Sequence, residues 1–245
     1  MNNYLCTTEI LITQNRWEEI KFENIASICL HRNKQQLSKH TDISSLDNIN
    51  SAQLFPYDII SDILYNNLSN EESNILQKQW KSIVSDNSKN THLQSCIPMI
   101  DLSGSMSGLP ISAGIGLGLL MSEISCGPFR NLMMTFSDQP EWIEFEDNSN
   151  IIDKVFKIKK QKWNEKTNFI KAMDMILSVV QDNNLKNNDI PKALIVFSDM
   201  KFDEAEDSEK YPWFTHYEIM KEKFKEAGMR KHGIPYALPR IVFWN

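Results

Sequence analysis

The sequence predicts an α/β fold: a mostly parallel sheet flanked by helices, preceded by a small helical region. Three observations carry this. Short apolar runs at 96–100, 132–136 and 193–197 alternate with stretches of helical periodicity. Two of the runs end at a carboxylate, Asp101 and the pair Ser198-Asp199. Residues 1–94, by contrast, place their apolar side chains at helical spacing. The 245 residues are 41% hydrophobic and 24% charged, a globular composition that excludes a collagen-like or wholly disordered chain. Lys plus Arg is 26 and Asp plus Glu is 32, so the net charge is −6, which argues against a protein that coats nucleic acid.

The elements follow in order. Segment 33–52 is polar and reads as a loop or weak helix. Ile59, Ile60, Ile63, Leu64 and Leu68 recur at three- and four-residue steps after Pro56, which suits the first turn of a helix. Ser69 or Asn70 caps a second helix carrying Ile75, Leu76, Trp80, Ile83 and Val84, with Glu71 and Glu72 favourable in its first turn. The domain boundary therefore falls between 1–94 and 95–245. Beyond it come a strand at 96–100, an apolar helix to 125, strands at 132–136 and 141–145, and a helix at 168–180. A buried strand at 193–197, an amphipathic helix at 215–227 and a last strand at 240–244 complete the pattern. Ligands of such sheets bind at the carboxyl ends of the strands, where Asp101 and Asp199 lie.

Cys6, Cys29, Cys96 and Cys126 form no C-x-x-C pair and no zinc spacing, so free thiols are expected. The N-terminus lacks a basic region followed by a long apolar run, and the most apolar stretch, 109–121, is too short to span a bilayer. The expectation is an intracellular protein, cytoplasmic by default, with no membrane partner.

The segment with chemistry is Asp101-Leu102-Ser103-Gly104-Ser105-Met106. Alternate residues of a tight turn point their oxygens to one side, and Gly104 is expected to relieve a Cβ clash. Carboxylate and hydroxyl oxygens are hard ligands suited to Mg²⁺, Mn²⁺ or Ca²⁺. Asp199 brings a second carboxylate to the same edge, and Thr167 offers a third hydroxyl.

These residues resemble the metal-ion-dependent adhesion site of von Willebrand factor A domains, with Asp101, Ser103, Ser105, Thr167 and Asp199 at its five positions. The segments DLSGSMSGLPISAGIGLGLLMSE, TNFIKAMDMIL, IVFSDMKFDEA and PRIVFWN are similar to an uncharacterised family of eukaryotes and large DNA viruses. In that family a helical region, matched here at 17–27 and 54–59, precedes a Rossmann-like von Willebrand factor A domain. The arrangement is more distantly similar to the Ro autoantigen. The resemblance implies a bound divalent metal, Mg²⁺ by preference, with one coordination position left for a partner's carboxylate. It also implies that Lys162, Trp163, Lys166 and Met106 lie where a partner docks. Two departures stand out: Asn164 and Lys166 replace the Gly and Asn that precede the Thr, and the sequence stops at Asn245, where such domains continue with a strand and a closing helix. Either the natural protein is short or the chain is cut there, and one sheet edge is then exposed or covered differently.

Plainer readings apply elsewhere. Gly114, Gly116 and Gly118 suit close helix packing and lack the order of a nucleotide fingerprint. Lys154, Lys157, Lys159, Lys160, Lys162 and Lys166 read as a solvated loop, and the acidic run 203–209 as another. The five histidines show no triad spacing with Ser103 or Ser105. The functional expectation is a non-enzymatic, metal-dependent protein-binding module with an acidic protein partner. RNA binding of the Ro type is the first alternative and a metal-dependent phosphoester hydrolase the second. The oligomeric state is not readable.

Overall fold

The computed structural model describes residues 7–21, 24–40, 53–89, 93–161, 168–198 and 213–244, with side chains from 216 in the last segment. Helices α1 (Thr8–Thr13), α2 (Ser27–His40), α3 (Pro56–Tyr65) and α4 (Asn70–Asn87) come first. Strand β1 (Cys96–Ile100), helix α5 (Leu109–Ile124), β2 (Leu132–Thr135), β3 (Trp142–Glu144), α6 (Ile151–Lys159) and α7 (Phe169–Asp182) follow. Strand β4 (Ala193–Phe197), α8 (Trp213–His232) and β5 (Arg240–Trp244) close the order. The strands form one sheet in the order β3-β2-β1-β4-β5, parallel except for β3, which pairs antiparallel with β2. This is a Rossmann-like α/β architecture.

The period-2 alternation of strands divides the core. Cys96 and Ile100 of β1 and Phe197 of β4 face α3, α4, α5 and α6. Ile97, Met99, Leu194 and Val196 face α7 and α8. Leu54, Ile59, Ile60, Leu76 and Trp80 share the first of these cores with the sheet. A smaller cluster joins α1 and α2 to Ile75 of α4. The glycines of α5 explain its close approach. A Cβ on Gly114 would lie 3.3 Å from Phe197 Cβ, one on Gly116 3.0 Å from the Pro56 backbone, and one on Gly118 2.8 Å from Ile100 Cδ1. Pro98 is tolerated in a central strand because the β1–β2 ladder spans only Met99 and Ile100. Its missing N–H falls where that ladder has not begun.

Helix starts obey local chemistry. Ser69 Oγ accepts from Glu72 N at 3.2 Å while the Glu72 carboxylate accepts from Ser69 N at 2.9 Å, so the cap is Ser69 and not Asn70. Asp58 reaches back to Phe55 N at 3.0 Å, with Pro56 at the first helical position. One expectation is narrowed to its helical alternative and one is corrected. Residues 33–40 are the second half of a regular helix, with Leu37 fully buried, and 41–52 lie outside the described residues. The lysine segment begins as helix α6, not as a loop: Ile151, Val155 and Ile158 make a buried stripe, and Lys154 is buried with them. Cys29, Cys96 and Cys126 are free thiols, as expected; Cys6 lies outside the described residues. No helix among the described residues is long and apolar enough to cross a membrane.

A polar cluster ties the first helices together. His31 Nε2 and Lys34 Nζ of α2 stand 3.2 and 2.5 Å from Asp62 Oδ2 of α3, and His31 Nδ1 lies 3.3 Å from Gln79 Oε1 of α4. Burial holds the His31 pKa below its ordinary value; Asp62 opposes this and Lys34 reinforces it. Between the lowered folded value and the unfolded value of about 6.5, the unfolded chain binds the extra proton. His31 therefore supports the fold above about pH 6.5, and that support is lost as pH falls through the folded value. Urea midpoints of the wild type should fall between about pH 7 and pH 5. His31→Gln should flatten that part of the slope; an unchanged slope would remove His31 as its source.

Candidate metal centre

Strands β1 and β4 are adjacent, yet the chain leaves β1 toward β2 and reaches β4 on the other side. The crevice between the loops that follow them is thus the switch point of the sheet, where α/β folds bind ligands. The register sets Ile100 beside Phe197. Asp101 N extends the ladder by donating to Phe197 O at 2.9 Å, and Phe136 N donates to Ile100 O at 2.9 Å from the β2 side.

Asp101 is 5% exposed and both its carboxylate oxygens are used. Oδ1 accepts from Ser103 N at 2.8 Å, and Oδ2 accepts from Ser198 Oγ at 2.7 Å. The first bond folds the loop so that residue 103 turns back over the strand end, as short Asp side chains do. The second joins the β1 and β4 ends through a serine that is 1% exposed. Ser103 caps a single 3-10 turn, Gly104–Met106, and Ser105 is its middle residue; their hydroxyl oxygens lie 3.0 Å apart. Adjacent ligands of an octahedral cation with bonds of about 2.0–2.1 Å stand about 2.9 Å apart, so this spacing suits Mg²⁺ as well as a hydrogen bond. Each Asp101 oxygen retains a second lone pair for a cation or its water.

Thr167, Asp199, Lys162, Trp163 and Lys166 lie outside the described residues, as does the acidic run 203–209. Asp101, Ser103 and Ser105 therefore form the described part of the expected donor set. Among the described residues no three His, Cys, Asp or Glu side chains gather as metal ligands. Met106 is corrected: it is 3% exposed, and its methyl group lies 3.8 Å from where a Cβ of Gly114 would stand. It packs under the loop instead of facing a partner. Gly104 is also corrected. Its φ is not positive and a Cβ there would meet nothing within 4 Å; the residue with the left-handed φ, +88°, is Gly108. Of the lysine segment, Lys154 is paired with Glu123 at 2.9 Å and Lys157 donates to Glu144 O at 2.6 Å.

Two features escaped the sequence reading. Ser198 is part of the site's framework, and Phe136-Ser137-Asp138 repeats at the end of β2 the Phe197-Ser198-Asp199 that ends β4. That repeated tripeptide was the available signal. Tyr65 Oη accepts from Gly108 N at 3.2 Å and so fastens the far end of the loop to α3. No local pattern could announce a contact between residues 43 apart.

The switch-point crevice and its buried aspartate define a Rossmann-like domain with a polar loop at its carboxyl edge. The chain belongs to the family described as a domain of unknown function (DUF7788), which matches residues 95–245. Residues 1–93 match a second domain of unknown function (DUF2828). The chain is similar to an uncharacterized protein of Acanthamoeba polyphaga mimivirus, with 24% identity over 268 residues. That alignment covers 100% of this chain, and the chain spans 44% of the relative's length. No solved structure matches.

Proposed function

We propose that the protein is a divalent-metal-dependent protein-binding module of the von Willebrand factor A type. Asp101, Ser103 and Ser105, with Thr167 and Asp199, hold Mg²⁺ or a similar cation, and a partner's carboxylate completes its coordination. The observation that carries this reading is the pair of Ser103 and Ser105 hydroxyls, 3.0 Å apart above an aspartate already locked between two strand ends. A loop fixed in this way presents its oxygens without reorganisation, which lowers the cost of binding. The metal supplies a positive charge at the crevice; the residues supply its position. The five histidines show no triad spacing with Ser103 or Ser105, which supports binding over catalysis.

The test is calorimetric titration of Mg²⁺ and Mn²⁺ into the wild type, Asp101→Ala and Ser105→Ala. Binding heats in the wild type with at least tenfold weaker binding in both variants are expected. Equal heats from all three proteins would overturn the proposal.

A further inference from the structure

Beside the loop, between it and the helical region, lies a cavity of about 150 Å³. Helix α3 supplies Leu64 and Tyr65, the loop supplies Leu102 and Ser107, α5 supplies Ile111, and Lys159 of α6 stands at its rim. Leu102 is the residue between Asp101 and Ser103, so one wall of the cavity is part of the candidate metal loop. The surface around it is apolar too: Tyr65 is 60% exposed and Leu109 61%. Large apolar side chains so exposed beside a concave, apolar lining mark a docking surface more often than a bare exterior. A cavity of about 150 Å³ is too small for a cofactor but admits one group of benzene or isobutyl size.

The charge at the rim selects the occupant. Lys159 is exposed and meets no acidic partner among the described residues, so the mouth of an otherwise apolar cavity is cationic. We infer that this cavity is a second subsite for the partner, taking an aliphatic or aromatic side chain that lies next to the acidic residue held at the loop. The ligand is thus an extended acidic protein segment with one apolar anchor. This rests on the carboxylate reading above. The spacing follows from the loop itself. Ser105 of the loop and Ser107 of the cavity lining are two residues apart, about 7 Å at most along an extended backbone, so the anchor should fall within about three residues of the carboxylate in the partner. The helical region thereby becomes part of the recognition surface: Leu64 and Tyr65 supply the wall that the α/β half lacks.

The test is selection from a displayed library of short random peptides against the full chain in Mg²⁺ at physiological salt. Enrichment of Asp or Glu with Leu, Ile, Met or Phe within about three residues is expected. Leu64→Trp fills the cavity from α3 while leaving the oxygen-bearing residues Asp101, Ser103 and Ser105 unchanged. It should weaken a selected peptide about tenfold or more, as expected for one buried apolar side chain, while Mg²⁺ dependence remains. Acidic enrichment with no apolar preference would overturn the inference and leave the metal reading standing. Apolar enrichment that survives EDTA and Ser105→Ala, yet is lost in Leu64→Trp, would support the cavity and overturn the metal reading. A wild-type dimer that Leu64→Trp dissociates would assign the cavity to a second copy of this chain and overturn the inference. No enrichment would overturn it as well.

Discussion

Lys154→Met should destabilise the protein by about 3 kcal/mol, because it strands a largely buried carboxylate. Lys154 and Glu123 side chains are 5% and 15% exposed, and Lys154 Nζ stands 2.9 Å from Glu123 Oε1. Trp80 Nε1 donates to the same oxygen at 2.9 Å. One atom therefore joins α4, α5 and α6, and with them the helical region to the sheet's helix layer. Removing the lysine leaves the Glu123 side chain with a single neutral donor, and the low-dielectric surroundings make an unpaired acidic group costly. Lys154→Met with Glu123→Gln should recover most of the loss: the amide oxygen still accepts from Trp80 and no charge is left unpaired. Lys157→Met, on the exposed side of α6, should cost no more than about 0.5 kcal/mol. Urea midpoints at constant slope provide the measurement, and the double variant gives the coupling between the pair. Additive losses would mean that lysine and glutamate act separately.

The same lysine shows where sequence reading reaches its limit. Its segment also carries Ile151, Val155 and Ile158 at helical steps, so the helix was legible. The run of lysines masks that stripe, and only the position of Glu123, 31 residues earlier, makes one of them a buried residue. The sheet was more legible because apolar runs ending at Asp101 and Ser198-Asp199 are local signals that need no partner. The short strand β3 was visible as an element, but its antiparallel direction depends on a tight return from β2, which composition does not encode. At the candidate site, Asp101, Ser103 and Ser105 follow from spacing alone. Ser198 as the anchor of Asp101, Tyr65 as the clamp on Gly108 and the inward turn of Met106 are tertiary facts, decided by which strand ends and helices meet. The acidic edge and lysine segment behind the net charge of −6 are likewise partly internal: Asp101 accepts two internal hydrogen bonds and Lys154 is paired with Glu123.

Asp101→Ala should lose two things at once, and Ser105→Ala only one. Asp101 accepts from a backbone N–H and from a buried hydroxyl, so its removal deprives Ser103 N and Ser198 Oγ of their acceptor. Hydrogen bonds to charged groups contribute about 1.5–3 kcal/mol each, and partial recovery through water brings the expected loss to about 2–4 kcal/mol without any metal. Asp101→Asn should lie between, since an amide presents one acceptor where the site uses two. Ser105 is exposed and among the described residues its hydroxyl meets only Ser103, so Ser105→Ala should change metal-free stability by about 0.5 kcal/mol or less. Added Mg²⁺ then separates the roles. At a hundredfold excess over its dissociation constant a bound ion stabilises by about 2.7 kcal/mol, so the wild-type melting temperature should rise with Mg²⁺. Ser105→Ala should start from the same metal-free temperature and show little rise. If Ser105→Ala rises as far as the wild type, the hydroxyl pair is a loop contact and not a ligand pair. If Asp101→Ala loses no metal-free stability, its hydrogen bonds do not hold the ends of β1 and β4 together, and the loop's fixed geometry needs another source.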